Sequence, residues 1–440
     1  MGKIDFSKPN ILIISNEQID IDDQQYKKDD KYNRQKIREK VEPWLTAVFQ
    51  SEHLSLLIGS GLSIALTGSG SMMKRIEFEG DYKEKIKNKA NEEAQKMGRQ
   101  EANFEDDLRV AIELLKGYEI TGDGKNEELK KEINDKLKGL LNSIIENEKN
   151  FLEKINNKTE IKDNNKSDEN TDQIAERKNF LLLLEQFLLS FSTRTATRDR
   201  LNIFTTNYDR FIEYGLDEAG ILTLDRFIGK LKPIMRFHRI DLDYHYNPPG
   251  IRGEPRYVEG VVRFTKLHGS IDWQFEGNQI VKMPMPFGEN VKEEFFADPF
   301  DRIVIYPNSA KAIETAFFPY SELFRDFSTA ICRPNSVLVT YGYGFGDSHI
   351  NRIMLDMLTI PSTHLVIISY DLADGRIQNF INKCNEAQLT LLIGNELGNF
   401  ENLINYYLPK PAIDRITDRE VKILEKRKSM ITTNPDSQDS

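Results

Sequence analysis

Five short segments of the sequence set glycine, asparagine, histidine or aspartate directly behind an apolar run, and each arrangement suits a particular chemistry. In Leu57-Ile58-Gly59-Ser60-Gly61-Leu62-Ser63 the run stops at a Gly-x-Gly turn with helix to follow. Glycines there let a phosphate approach the backbone, and amides at the next helix start would face the anion. A tight strand-to-helix turn would use the same glycines without a ligand, and the third glycine of the dinucleotide fingerprint is not at its usual spacing. Phe204-Thr205-Thr206-Asn207-Tyr208-Asp209 closes a second run. Asn207 and Asp209 stand where ligands of open α/β sheets bind, yet both types also serve as helix N-caps, Asp209 being the better placed.

In Lys266-Leu267-His268-Gly269-Ser270-Ile271-Asp272-Trp273 a histidine ends a third run. Imidazole titrates near neutrality and can accept a proton there, although a solitary histidine also serves as a hydrogen-bonded structural residue. Gly342-Tyr343-Gly344-Phe345-Gly346-Asp347 follows a fourth run, and its alternating glycines would let a flat group or a ribose lie on the backbone. Asp347 or Ser348 would cap the next helix, which puts His349 in that helix's first turn, a structural position. Asp371, behind Ile367-Ile368-Ser369-Tyr370, either accepts from ribose hydroxyls or simply ends its strand.

Holding five such turns together requires strands whose carboxyl ends lie side by side. Short apolar runs at 54–58, 201–205, 261–267, 303–306, 337–340, 365–369 and 389–393 alternate with helical stretches at 209–219, 310–330 and 350–358. The pattern predicts an α/β fold with a Rossmann-like parallel sheet flanked by helices. Between Glu79 and Arg200 there is no proline, and Phe104, Leu108, Ala111, Ile112 and Leu115 recur at helical spacing, as do Ile133, Leu137, Leu140, Leu141 and Ile144. That region reads as a helical insertion module over 79–200, with a loop at 164–171 and a buried helix over 178–191. The expected organisation is a polar N-terminal arm over 1–40 and the sheet domain over 41–78 and 201–410. A helix at 41–51 opens that domain, and a charged tail over 411–440 follows it.

The 440 residues carry a net charge of −10, which repels polyphosphate and argues against direct nucleic-acid binding. Two cysteines, Cys332 and Cys384, fit neither a disulfide framework nor a zinc ribbon. The most apolar stretch, 180–191, is interrupted by Glu185 and falls short of the ~20 residues that span a bilayer. A soluble cytoplasmic protein with no membrane contact is expected.

The order of the five turns along the chain resembles the sirtuin-like NAD-consuming domains of bacterial anti-phage defence systems. The resemblance is nearest to the stand-alone subunit paired with a HerA-type ATPase. It extends to Phe104-Glu105-Asp106-Asp107-Leu108, similar to an acidic patch of that family, and to Tyr306-Pro307-Asn308-Ser309-Ala310-Lys311, similar to its Pro-x-x-x-Lys stretch. It implies NAD+ as substrate with no metal, Asn207 and His268 as catalytic residues, and Gly59, Ser60, Gly61 and Ser63 as the phosphate loop. Thr205, Asp209, Gly342, Gly344, Gly346, Asp347 and Asp371 would complete the binding set. Gly-Ser-Gly and Thr-Thr-Asn replace the Gly-Ala-Gly and Thr-Gln-Asn of zinc-bearing sirtuins, and the zinc cysteines are missing, which ranks protein deacylation below NAD+ hydrolysis. The implied protein is a NAD+ glycohydrolase acting by NAD depletion, a homo-oligomer gated by an ATPase partner. The rivals are a nucleotide or ADP-ribose sensor that turns nothing over and a NAD-dependent deacylase.

Overall fold

Runs of five or six apolar residues, buried on both faces, pair side by side in the computed structural model, which describes residues 4–28, 31–68, 75–97, 101–156, 169–192, 199–246, 256–289, 293–305 and 319–410. Nine strands share one sheet: β1 (Asn10–Ile14), β2 (Glu17–Ile19), β3 (His53–Ile58), β4 (Leu201–Thr205), β5 (Leu222–Leu224), β6 (Val261–Lys266), β7 (Ser336–Tyr341), β8 (His364–Ser369) and β9 (Leu389–Gly394). Their spatial order is β2-β1-β9-β8-β7-β3-β4-β6-β5. From β9 through β5 every pairing is parallel, while β1 pairs antiparallel with both β9 and β2. The chain runs from β3 outward through β4 and β6 on one side, then crosses to β7 on the other. That reversal beside β3 is a topological switch point, where such sheets open a crevice at their carboxyl ends.

Alternation along each strand divides the core in two. Leu56, Ile58, Ile203, Val339, Val366 and Leu392 face α1 (Arg34–Phe49), α6 (Glu169–Ser192) and α7 (Phe211–Glu218). Leu57, Phe204, Leu338, Ile367 and Leu391 face α8 (Tyr320–Ile331) and α9 (Ser348–Met357). Between β3 and α6 come α2 (Ser60–Thr67), α3 (Lys83–Lys96), α4 (Phe104–Thr121) and α5 (Asn126–Asn156). The helical spacing of Leu108, Ala111 and Leu115 on α4 and of Ile133, Leu137, Leu141 and Ile144 on α5 builds a third core. It also takes in Tyr208, Ile271, Met285 and Ile305, so these helices sit against the same side of the molecule as the strand ends.

Several expectations change. Part of the proposed polar arm is structural: β1 is buried throughout and extends the sheet, and α1 begins at Arg34, capped by Asn33, rather than at Val41. Asn10 accepts a hydrogen bond from the Glu396 amide at 3.0 Å, and Arg34 pairs with Glu396 at 2.8 Å, tying the segment down. α6 begins at Glu169, inside the expected loop. Ile303–Ile305, read as one of the parallel strands, belongs instead to a second, antiparallel sheet with Gly269–Glu276 and Gln279–Lys282, so the turn at His268 leads straight into another strand. The Pro-x-x-x-Lys stretch, the first part of the 310–330 helix, loop residues 164–168 and the 411–440 tail lie outside the described residues.

Two turns at the switch point are packed backbone on backbone. Gly342 follows β7 at φ +59°, and a Cβ there would lie 2.6 Å from Gly61 Cα. A Cβ on Gly59 would meet the Gly342 carbonyl oxygen at 2.5 Å, and the Gly61 amide donates to that oxygen at 2.9 Å. Gly342→Ala is therefore expected to cost about 3 kcal/mol, through a left-handed backbone and an overpacked contact. Gly346→Ala, whose Cβ would meet open space, should stay within about 0.5 kcal/mol of wild type. Denaturant midpoints of the two variants check this, and equal midpoints would contradict it.

Candidate active site

The carboxyl ends of β3, β4, β6 and β7 meet at one cavity of about 630 Å³, within the ~300–1,000 Å³ typical of small-molecule sites. Gly59, Ser60 and Ser63 of the first turn line it, together with Asn207, Asp209, His268, Gly344, Gly346 and Asp347. Gly61 and Gly342 do not, because they are pressed against each other. The Gly61 amide, expected to face an anion, is spent on Gly342. Thr205 lies beneath the wall: its hydroxyl donates to the Ile58 carbonyl at 2.9 Å and accepts from the Asn207 amide at 3.1 Å. Asp371 is exposed, accepts from the Ala373 amide at 2.8 Å, and is not part of the lining.

Asn207 is fixed by its own side chain. Its Nδ2 donates to the Gly59 carbonyl and to Ser63 Oγ, both at 3.0 Å, which orients the carboxamide across the β3–β4 seam. The amide hydrogens are thereby committed, and Oδ1 is the end that can receive a hydroxyl or a water. Ser63 passes its own hydrogen to Asp209 Oδ2 at 2.6 Å. Neither Asn207 nor Asp209 caps α7, whose N-cap is Arg210 with no side-chain cap. Asp209 is buried instead, its Oδ1 has no hydrogen-bond partner, and burial, partly offset by Lys266 and Ser63, pushes its carboxyl up to about 6.

The turn from 206 to 210 is held from three directions. Lys266, fully buried at the end of β6, donates to the Asp209 carbonyl and pairs with Glu213 at 2.9 Å. Tyr208 donates from its hydroxyl to Glu105 of α4 at 2.7 Å. Arg210 pairs with Glu148 of α5 at 2.6 Å, and the Arg210 amide also donates to that carboxylate at 2.9 Å. The helices over the cavity are thus bonded to the loop that carries Asn207. They contribute Asn103, Glu105 and Asp106 from the start of α4, and Leu140 and Ile144 from α5, to its wall.

His268 stands opposite, at the end of β6. Its Nε2 lies 3.0 Å from Asp347 Oδ2, while Asp347 Oδ1 caps α9 by accepting from the His349 and Ile350 amides. Gly269, at φ +84°, permits the turn behind it: a Cβ there would lie 1.8 Å from the Val304 carbonyl oxygen. His349, expected in a structural position, also lines the cavity, as do Arg352 and Arg376. Tyr208, Glu105 and the two arginines were not singled out as binding residues from sequence. Tyr208 lies within a quoted turn and Glu105 within the acidic patch, but nothing local marks Arg376.

Residues 201–389 match the family model of the SIR2-like domain. This segment holds Asn207, His268 and Asp347; the first glycine turn lies before it. The match supports a sirtuin-like family, which includes NAD-dependent enzymes, and implies NAD+ use. No curated protein matches the chain. Among the described residues, no helix is long and apolar enough to cross a membrane, and no group of three or more His, Cys, Asp or Glu is placed to hold a metal ion.

Two tests follow from the buried charges. Because Asp209 holds its proton more tightly folded than unfolded, stability it supplies below pH 4 is lost as pH rises through about 6. Asp209→Asn removes that loss, so its stability relative to wild type should climb between pH 4 and 7, by about 3 kcal/mol at most, in paired melts. Glu148→Gln keeps the shape but strands the Arg210 charge, and is expected to cost about 3–5 kcal/mol in denaturant unfolding. A cost below about 1 kcal/mol would show that the pair is not an anchor.

Proposed function

We propose that the cavity binds NAD+ and that the protein hydrolyses the nicotinamide–ribose bond, releasing nicotinamide and ADP-ribose. The observation that carries this reading is that the Asn207 carboxamide and the His268 imidazole line one cavity at the switch point. The leaving group departs readily, because the pyridinium nitrogen takes the bonding electrons and becomes neutral. The ribose carbon left behind is oxocarbenium-like and needs a nucleophile. Asn207 Oδ1 would hold the attacking water or a ribose hydroxyl. His268 would take the proton that water releases as its oxygen bonds to the anomeric carbon.

The remaining lining suits the rest of the dinucleotide. Ser60 at the start of α2 and the guanidinium groups of Arg352 and Arg376 favour the pyrophosphate. The orphan oxygen of Asp209 is an acceptor placed beside the cavity, and the nicotinamide carboxamide carries donors that would satisfy it.

The sequence resemblance supports a biological role as a defence effector that depletes NAD+, active as a homo-oligomer in an assembly with a HerA-type ATPase. Gating is supported by the Tyr208–Glu105 and Arg210–Glu148 bonds, through which a partner leaning on α4 or α5 would displace the Asn207 turn.

The test is free nicotinamide released from NAD+ by the purified protein, alone and with its ATPase partner. His268→Ala and Asn207→Ala should each lower release about 100-fold or more while melting as wild type does. Full turnover by either variant defeats the assignment. Tight NAD+ binding without release by wild type in both conditions would favour the sensor.

A further inference from the structure

We propose that Asp347 is the positioning residue for His268, fixing the imidazole with its proton on Nε2 and its lone pair on Nδ1. The catalytic consequence rests on the hydrolase reading above, while the tautomer does not. Asp347 was expected to serve as a cap and a ligand contact. Its carboxylate does cap α9, and it divides its work. Oδ1 accepts from the His349 amide at 2.9 Å and from the Ile350 amide at 3.4 Å, and Oδ2 lies 3.0 Å from His268 Nε2. Two backbone donors and the positive end of α9 hold the group as an anion in one orientation. An ionised carboxylate only accepts, so the imidazole must present N–H at Nε2, and in the neutral ring Nδ1 is the basic atom.

The surroundings keep the ring from turning. His268 is 5% exposed, with Tyr208 and Phe324 centred 6.3 and 6.4 Å from it. Among the described residues, the titratable groups that face it or share its cavity are Asp347, His349 and Tyr343 from the β7–α9 turn, Tyr208 from the β4 turn with Glu105 of α4 behind it, and Asp209, Asp106, Glu101, Arg352 and Arg376 along the wall. Of these, Asp347 makes the hydrogen bond that selects between the ring nitrogens. The pair also spans the switch point, since His268 follows β6 on one side of β3 and Asp347 follows β7 on the other. Proton acceptance would then depend on both halves of the sheet being in register.

Asp347→Asn is the informative change. Asparagine caps helices as well as aspartate does, so its Oδ1 can keep the α9 amides, but its Nδ2 then points a donor at His268. The ring must answer with a lone pair on Nε2 and move its proton to Nδ1, the tautomer inversion that disables the analogous serine-protease variant. With NAD+, kcat is expected to fall about 100-fold or more with KM within about threefold. Independently, ¹⁵N-histidine NMR of the full chain, with the signal assigned by His268→Gln, should show Nε2–H in wild type and Nδ1–H in Asp347→Asn. A wild-type ring protonated on Nδ1 overturns the proposal without recourse to any variant, and so does an unchanged tautomer in Asp347→Asn. A wild type that releases no nicotinamide under any condition would end the hydrolase reading and leave the NMR result to decide the pairing.

Discussion

Backbone packed on backbone at the switch point is the constraint from which the site follows. Gly59 and Gly61 behind β3 rest on Gly342 behind β7, with no side chain between them. This contact brings two crossover turns from opposite directions within hydrogen-bonding distance. It thereby sets the separation between the Asn207 side of the crevice and the Asp347 side. Glycine is demanded here less for a ligand's approach than for the protein's approach to itself.

Around that contact the polar groups are arranged so that each orients the next. Ile58 receives Thr205, Thr205 receives the Asn207 amide, Asn207 donates to Ser63, and Ser63 donates to Asp209. Most of these groups are buried, where an unmade hydrogen bond costs more than it would in water. This series of bonds ends on acceptor atoms, Asn207 Oδ1 and the buried Asp209 Oδ1, rather than on donors. The outlying ties to Glu105 and Glu148 extend the same logic into α4 and α5, so the loop's geometry is shared property of the sheet and the helices above it.

Much of the sheet was legible because a strand buried on both faces reads as an unbroken apolar run, and six of them ended in glycine or a polar turn. Asn207 and His268 stood out because a polar residue directly behind such a run has one place to be. What escaped notice has physical reasons. The run Ile11-Leu12-Ile13-Ile14 is short and set among charged residues, so its membership in the sheet depends on β9, some 380 residues away. Gly269–Glu276 escapes a strand reading because its burial comes from the second sheet and is split between two cores, Ile271 packing with α4 and α5 and Trp273 in the other, rather than from its own period. The bond between His268 and Asp347 joins residues 79 apart, and no local pattern announces it. Asp371 lies off the lining, and its two readings could not be told apart because a strand end off the crevice has the same local sequence as one on it.

The central strand has a further consequence for biosynthesis. Leu57 of β3 is paired on one side with Phe204 and on the other with Thr340. At ribosomal rates of ~5–20 residues per second, an apolar ribbon destined for the middle of the sheet waits on the order of ten seconds for its first neighbour and longer for its second. During that interval the helices encoded between them can form locally, as short-range contacts do ahead of distant ones. The nascent chain must therefore shelter β3, either beneath those helices or in a chaperone's keeping, until its flanks are made.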